Sequence, residues 1–312
     1  MSPMIRPNVA GHGLEASSAR QRTMRRSRVL LLVAAVLAST VLSACSAVGG
    51  APQAARSVTG QSGVTVTALP MPAGIEHVHA LVRDPNLGRV LAATHAGLYE
   101  ITPNGGASRV GGSGDDLMSL TIDSSGNLYA SGHPGTASAA TNPLGLIRSS
   151  DGGRTWVPIS RQGESDFHAL TVHGSTIVGL ADTTLATSRD AGRTWQVGAR
   201  ADAATLTLDS STLWVAGPSG LQRSSDDGAN LQPVTDAPKL RLGSAAIDDT
   251  VWGVGDDGTV WRRDAHGLWA RVASVPSVDQ VSAIVAATPD QALLATGSQL
   301  VWIDASGSTS TA

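Results

Sequence analysis

An eight-residue pattern returns along this chain at nearly constant spacing, and it limits the fold more than any other feature. Ser149-Ser150-Asp151-Gly152-Gly153-Arg154-Thr155-Trp156 reappears as Ser188-Arg189-Asp190-Ala191-Gly192-Arg193-Thr194-Trp195. A worn copy follows at Ser224-Ser225-Asp226-Asp227-Gly228-Ala229-Asn230-Leu231. The starts lie 39 and then 36 residues apart, a period that points to stacked units sharing a core. Leu146-Ile147-Arg148 before the pattern and Trp156-Val157-Pro158-Ile159 after it read as strands. The Asp-Gly-Gly between them supplies the positive φ of a tight turn, and Ser and Asp side chains bond turn N–H groups. Ser149, Asp151, Gly153, Trp156, Ser188, Asp190, Gly192, Trp195, Ser224, Asp226 and Gly228 are therefore expected to be structural.

The rest of the body follows the same plan. Six units each carry an apolar strand, a turn, a second strand and an outer hairpin. The first strands read as 79–82, 118–121, 168–171, 204–207, 243–246 and 282–285. Short strands at this spacing predict an all-β, six-bladed β-propeller over residues 63–305, or seven blades if two units are merged around the loop from Gly132 to Pro143. A parallel β-solenoid is the alternative, against which the outer hairpins argue. The last unit ends one strand short after Val301-Trp302-Ile303, and Val64 to Leu69 is one strand spare. The N-terminal strand is thus expected to close the last blade, which removes two exposed edges.

Residues 1–45 read as an export signal. Arg22, Arg25, Arg26 and Arg28 precede an apolar run from Val29 to Val41, followed by Leu42-Ser43-Ala44-Cys45. That order describes a secretory signal, and the run is too short to span a bilayer. Leu-Ser-Ala-Cys resembles the bacterial lipobox, and Cys45 is the one cysteine in the chain. Acylation there predicts an extracytoplasmic lipoprotein held on the bacterial membrane. Met24 begins a better-proportioned signal than Met1, and the residues after Arg25-Arg26 fit a twin-arginine motif poorly. Residues 46–62 read as a flexible tether and 306–312 as a disordered tail. Cleavage before Cys45 removes Arg6, Arg20, Arg22, Arg25, Arg26, Arg28 and Glu15, which takes 22 basic and 25 acidic residues to 16 and 24, a net of −8. That charge argues against nucleic acid as a partner. A monomer is expected, with a cell-envelope glycan or protein as the partner class.

Chemistry is expected where the first strands face the channel. Residues two apart share a face of a strand. Reading the six strands in register gives an outer layer of His77, Asp116, Asp166, Asp202, Arg241 and Gln280, and a deeper layer of His79, Met118, His168, Ala204, Gly243 and Ser282. The ends of the second strands add His95 and His133 to the same mouth, which Asp115 and Glu164 also approach. Ligand binding is expected at His77, His79, His95, Asp116, His133, Asp166, His168 and Arg241. Three chemistries fit. Imidazoles with a carboxylate suit a divalent transition metal (zinc, copper or iron), with His77, His79 and His168 as the first ligand set. Asp116 and Asp166 on adjacent blades suit the acid and base of a glycosyl hydrolase, although aromatic residues are only 3%. A hydrated channel on a protein- or glycan-binding scaffold needs no catalysis at all.

The eight-residue pattern resembles the BNR/Asp-box signature, S-x-D-x-G-x-T-W. A longer set of segments, His77-Val78-His79-Ala80-Leu81, Thr94-His95-Ala96-Gly97-Leu98-Tyr99, Ser131-Gly132-His133-Pro134, Asn142-Pro143-Leu144-Gly145-Leu146 and Asp166-Phe167-His168-Ala169-Leu170, is similar to a group of bacterial exported proteins classed as glycosyl hydrolase-like. These belong with the sialidase-like and sortilin-like propellers. The resemblance covers about residues 64–305. It implies a propeller with the boxes on outer hairpins, remote from any active site, and it implies a hydrolase only through the fold. True sialidases need an arginine triad and a Tyr/Glu pair. This chain has only Tyr99 and Tyr129, and one arginine, Arg241, at the expected channel positions, so sialidase activity is not expected.

Overall fold

The computed structural model describes residues 56–59, 63–245, 250–275 and 281–307. The signal, Met24, Cys45, most of the tether, Ala246, Gln280 and the tail from Ser308 lie outside the described residues.

Among the described residues there are strands and no helices, arranged as six antiparallel sheets. Blade 1 is β3 (Val78–Arg83), β4 (Val90–Thr94), β5 (Gly97–Ile101) and β6 (Ala107–Val110). Blade 2 is β7 (Asp116–Ile122), β8 (Leu128–His133), β9 (Leu146–Ser149) and β10 (Val157–Ser160). Blade 3 is β11 (Phe167–His173), β12 (Thr176–Ala181), β13 (Thr184–Ser188) and β14 (Gln196–Arg200). Blade 4 is β15 (Thr205–Leu208), β16 (Leu213–Gly217), β17 (Gly220–Ser224) and β18 (Gln232–Pro233). Blade 5 is β19 (Leu240–Ala245), β20 (Val251–Gly255), β21 (Thr259–Arg263) and β22 (Trp269–Ser274). Blade 6 is β23 (Val281–Thr288), β24 (Gln291–Thr296) and β25 (Gln299–Asp304), completed from the other end of the chain by β2 (Thr65–Pro70) and then β1 (Arg56–Thr59).

The fold is therefore a six-bladed β-propeller, and the N-terminal strand closes it as expected. The Gly132–Pro143 loop belongs to blade 2 and does not hide a seventh blade. One difference is β1, which pairs Arg56 to Thr59 with Ala68 to Thr65 and so takes four residues from the stretch read as tether. A four-residue strand flanked by small and polar residues carries too little pattern to be seen in sequence.

The innermost strands β3, β7, β11, β15, β19 and β23 touch in cyclic order and enclose a channel of about 860 Å³. The second strands are buried on both faces, β4 along its whole length, which is why they read as short continuous apolar runs. Apolar clusters fill the seams between blades. Leu91 and Leu98 of blade 1 meet Leu117, Leu128 and Ile147 of blade 2, and Leu242, Trp252 and Val260 of blade 5 meet Ile284, Leu294 and Ile303 of blade 6. Each such side chain contributes about 1.5–3 kcal/mol on burial. The seam between blades 4 and 5 is the thinnest, built on Ala216, Leu221 and Leu240.

The repeated eight-residue loops follow the third strand of blades 2, 3 and 4. In each, the Ser hydroxyl accepts the N–H of the glycine four residues on (2.8 Å for Ser149 and Ser188, 2.9 Å for Ser224). The Asp carboxylate accepts N–H and side-chain bonds from the residue four on, Thr155, Thr194 or Asn230. The glycine is required because each loop is pressed onto the preceding blade. A Cβ on Gly153 would overlap Leu98, and one on Gly192 would overlap Leu146. Polar contacts add to this. Trp195 Nε1–H donates to Ser160 Oγ (3.0 Å), and the Arg189 guanidinium lies 2.8 Å from Asp227 of the next loop. The loops thus staple blade 1 to 2, 2 to 3 and 3 to 4.

Candidate functional site

A bulge at the start of the inner strands shapes the mouth of the channel. Val78 faces Thr94 and Ala80 faces Ala93, so His79 is the extra residue of blade 1. Met118, His168, Arg241 and Ser282 are the corresponding extra residues of blades 2, 3, 5 and 6. A bulge breaks the two-residue alternation and re-aims the side chain it carries. Register read by strict alternation places His79 and His168 on the channel as expected and slips in blade 5. There Arg241, expected in the outer layer, occupies the position of His79, because Leu240 and Leu242 flank it as Val78 and Ala80 flank His79. The expected anchor, Gly243, lies two residues further on. Lys239 takes the outer-layer place and sits 3.5 Å from Asp256. Met118, expected in the deeper layer, does not line the channel, whereas Ser119 does.

The mouth holds two clusters on adjacent blades. In the first, His95 is presented by a tight turn that Thr94 locks. The buried Thr94 hydroxyl donates to the Gly97 carbonyl (2.8 Å) and accepts the Ala96 N–H (3.0 Å). His95 Nδ1 lies 2.8 Å from Asp116 Oδ2 of blade 2. His79 Nε2 lies 3.4 Å from His95 Nδ1 and 3.4 Å from Asp116 Oδ1. His77 covers these from the solvent side, its ring 4.7 Å from that of His79 and 5.3 Å from that of His95. Burial first, then the neighbouring His77 and His95, pushes the His79 pKa down to about 4 against the opposing pull of Asp116. His79 is thus a neutral imidazole at physiological pH, the form that ligates metals.

In the second cluster, Asp166 Oδ2 lies 2.8 Å from His168 Nε2 and 3.2 Å from His133 Nε2. His133 Nδ1–H donates to Asn142 Oδ1 (2.8 Å), and the loop carrying Asn142 is docked by the Leu144 N–H on the Gly132 carbonyl (2.8 Å). Phe167, between Asp166 and His168, is fixed by two buried serines. Ser131 Oγ accepts its N–H (3.0 Å) and Ser119 Oγ–H donates to its carbonyl (2.5 Å). Its ring is fully buried and stacks on Trp195 at 4.8 Å. Asp116 Oδ1 and Asp166 Oδ1 are both buried without a hydrogen-bond partner.

Of the expected site residues, His77, His79, His95 and Asp116 form one group and His133, Asp166 and His168 the other. Arg241 stands on blade 5, across the ring from blade 2. Among the described residues the donor atoms of His79, His95 and Asp116 all lie within 4.8 Å of one another; of the expected set His77, His79 and His168, only His79 belongs to that group. The strands place His168 beside Asp166 and leave His77 as a cover. Asp115 is a latch, accepting the Ser113 hydroxyl and the Gly135 N–H, and Glu164 is exposed. Asn142 was not expected. It lies in a loop with no periodicity, and only its place beside Pro143 in the quoted segments marked it.

The Asp-Gly loops occupy the opposite end. β7 leaves the mouth, β8 returns to it and β9 leaves again, so the turn from β9 to β10 lies away from the histidines. His173 closes β11 at that far end of the channel, and His266 is exposed in the β21–β22 hairpin.

No family model matches this chain, and no curated protein sequence does. Solved β-propellers are similar in fold. A gluconolactonase from Xanthomonas campestris aligns at 12% identity over 77% of this chain and 89% of its own, with a TM-score of 0.57. The GH74 enzyme of Niastella koreensis aligns at 16% identity over 75% of this chain and 44% of its own, with a TM-score of 0.54. A streptogramin B lyase aligns at 13% identity over 77% of this chain and 97% of its own, with a TM-score of 0.51. At such identities the likeness is one of architecture, and the class defined is the β-propeller.

Proposed function

We propose that this chain is a lipid-anchored, extracytoplasmic β-propeller of the BNR/Asp-box, sialidase-like kind that binds a divalent transition metal through His79, His95 and Asp116. The observation that carries the reading is the spacing of the donor atoms. Metal–ligand bonds of 2.0–2.1 Å at tetrahedral angles place ligand atoms about 3.3 Å apart. Here His79 Nε2 and His95 Nδ1 are 3.4 Å apart, each meets its own oxygen of Asp116 at 3.4 Å (Oδ1) and 2.8 Å (Oδ2), and with one donor atom per residue all three lie within 4.8 Å of one another. Three ligands leave a fourth position facing the channel mouth for water or a small ligand.

The test is zinc uptake by the full chain, purified in detergent without chelators and measured by elemental analysis and calorimetry. The wild-type chain is expected to bind zinc, and His95→Ala to lose one equivalent. Second-sphere losses already cost 10–100-fold in affinity, so loss of a ligand is expected to exceed about 100-fold. The reading fails if the wild-type chain takes up no zinc, or if His95→Ala takes up as much. The anchor has its own check. Cys45→Ala is expected to move the protein from the membrane to the soluble fraction, and a variant that stays membrane-bound overturns the lipobox reading.

Glycoside hydrolysis by Asp116 and Asp166 is the second reading. Two carboxylates on adjacent blades, each with a buried unpartnered oxygen, support it, as does the resemblance of the sequence to glycosyl hydrolase-like propellers. Against it, each carboxylate is already engaged by two imidazoles, which leaves neither aimed at a glycosidic oxygen.

A further inference from the structure

We infer that the second cluster is a hydrolytic site, in which His168, held by Asp166, is the general base for attack of water on a neutral carboxylic ester. None of the proposed metal ligands takes part. The two nitrogens of His168 are unequally engaged. Nε2 lies 2.8 Å from Asp166 Oδ2, while Nδ1 has no hydrogen-bond partner among the described residues. A carboxylate at one ring nitrogen keeps the proton there and leaves the lone pair on the other. His168 lines the channel and its side chain is half-exposed, so water reaches the ring.

The pair is held from the backbone. Asp166 and His168 flank Phe167, whose N–H and carbonyl are clamped by Ser131 and Ser119 and whose ring is buried against Trp195. Asp166 Oδ1 is buried without a hydrogen-bond partner, so the carboxylate directs its charge to the imidazoles at Oδ2. His133, 3.2 Å from Oδ2, braces the carboxylate from blade 2. Asp166 and His133 are thus positioning residues, and His168 is the catalytic one.

The surroundings select the substrate. A phosphoester anion would meet the carboxylates of Asp116 and Asp166. A glycoside needs an acid to protonate the departing oxygen, and both carboxylates are engaged by imidazoles. A neutral ester needs only a base matched to neutral pH, which an imidazole is. Blades 4 to 6 bring small residues to the channel wall, Ala204, Gly243, Ser282 and Ala283 among them, which leaves room for a small ester. In the step, His168 Nδ1 takes a proton from water as the water oxygen bonds to the acyl carbon and the C=O pair moves onto oxygen. Collapse of the adduct breaks the bond to the alkoxy oxygen, which takes the proton from His168. One ester and one water give one carboxylic acid and one alcohol.

The experiment follows hydrolysis of ethyl dichloroacetate by pH-stat titration, since ethoxide is too poor a leaving group for imidazole to displace directly. The full chain is assayed in detergent with chelator, so the result does not depend on the metal reading. The wild type is expected to exceed the rate without protein, and His168→Ala to lose about 10²–10⁴-fold in kcat/KM. Added imidazole should restore part of that loss saturably, which a merely structural histidine would not allow. Asp166→Asn, which turns an amide toward Nε2, should lower kcat and leave KM and thermal unfolding unchanged. The assignment is overturned by a wild type no faster than the blank, by full activity in either variant, or by His168→Ala that imidazole does not rescue. Zinc uptake without ester turnover removes this site alone, and ester turnover without zinc uptake removes the metal reading alone.

Discussion

Gly132→Ala is expected to lower the thermal midpoint by roughly 5–20 °C and to disable both histidine clusters together. Gly132 adopts φ 149° opposite Leu117, beside the bulge. A Cβ there would overlap the Asp116 carbonyl oxygen and crowd the Met118 nitrogen at 2.8 Å. Unfavourable φ and overpacking each cost about 1–3 kcal/mol, which makes a total of roughly 2–6 kcal/mol. The site suffers with the fold because the strand that must move carries His133, its partner carries Asp116, and the Gly132 carbonyl docks the Asn142 loop. Gly112→Ala is the control, since a Cβ there meets nothing within 4 Å. Thermal scans in chelator, paired with zinc uptake, check the result. A midpoint matching that of Gly112→Ala would refute the steric argument. Blade 4 repeats the close approach with Gly217 against the Asp202 carbonyl, whereas blades 1, 3 and 6 carry Thr94, Ala181 and Thr296 at the corresponding position.

Deletion of residues 56–70 is expected to abolish cooperative unfolding and drive the protein into aggregates. β2 pairs with β25 along six residues, from Thr65 with Asp304 to Pro70 with Gln299. Leu69 is buried and packs against the Gly105 turn of blade 1, while Val64, Val66 and Ala68 lie on the core of blades 5 and 6. Removing them forfeits several side chains at about 1.5–3 kcal/mol for each one fully buried. The deletion also bares the edge of β25 beside Leu300, Val301 and Ile303, an unprotected edge of the kind that pairs with other chains. Size-exclusion chromatography and thermal scans of the deleted chain check this. A monomer with a sharp transition would show that three strands suffice for blade 6.

Much of the architecture was legible in the sequence because a propeller repeats itself. The Ser149, Ser188 and Ser224 loops fix the period, and the spare strand at Val64 predicts its own partner. The site was legible where alternation holds. Asp116 and Asp166 fall on the expected face, and His95 and His133 at the expected strand ends. What failed is what alternation cannot encode. The bulge shifts Arg241 out of the outer layer, and Met118 leaves the channel although it holds the same bulge position as His79 and His168. The partnership of His95 with Asp116, and of His133 with Asp166, forms across the gap between blades. Asn142 comes from a loop whose place depends on one backbone bond to Gly132.

The closure of blade 6 also sets an order of assembly. The strand from Thr65 to Pro70 is among the first parts of the body to be synthesised, and its partner from Gln299 to Asp304 is among the last. Blades 1 to 4 can form successively, each loop stapling a new blade to the one before. The ring cannot shut until the final strand is available. Until then the leading segment must wait unpaired, and the contact that completes the fold is the most distant in sequence, the kind that forms slowly and leaves a chain open to misassembly.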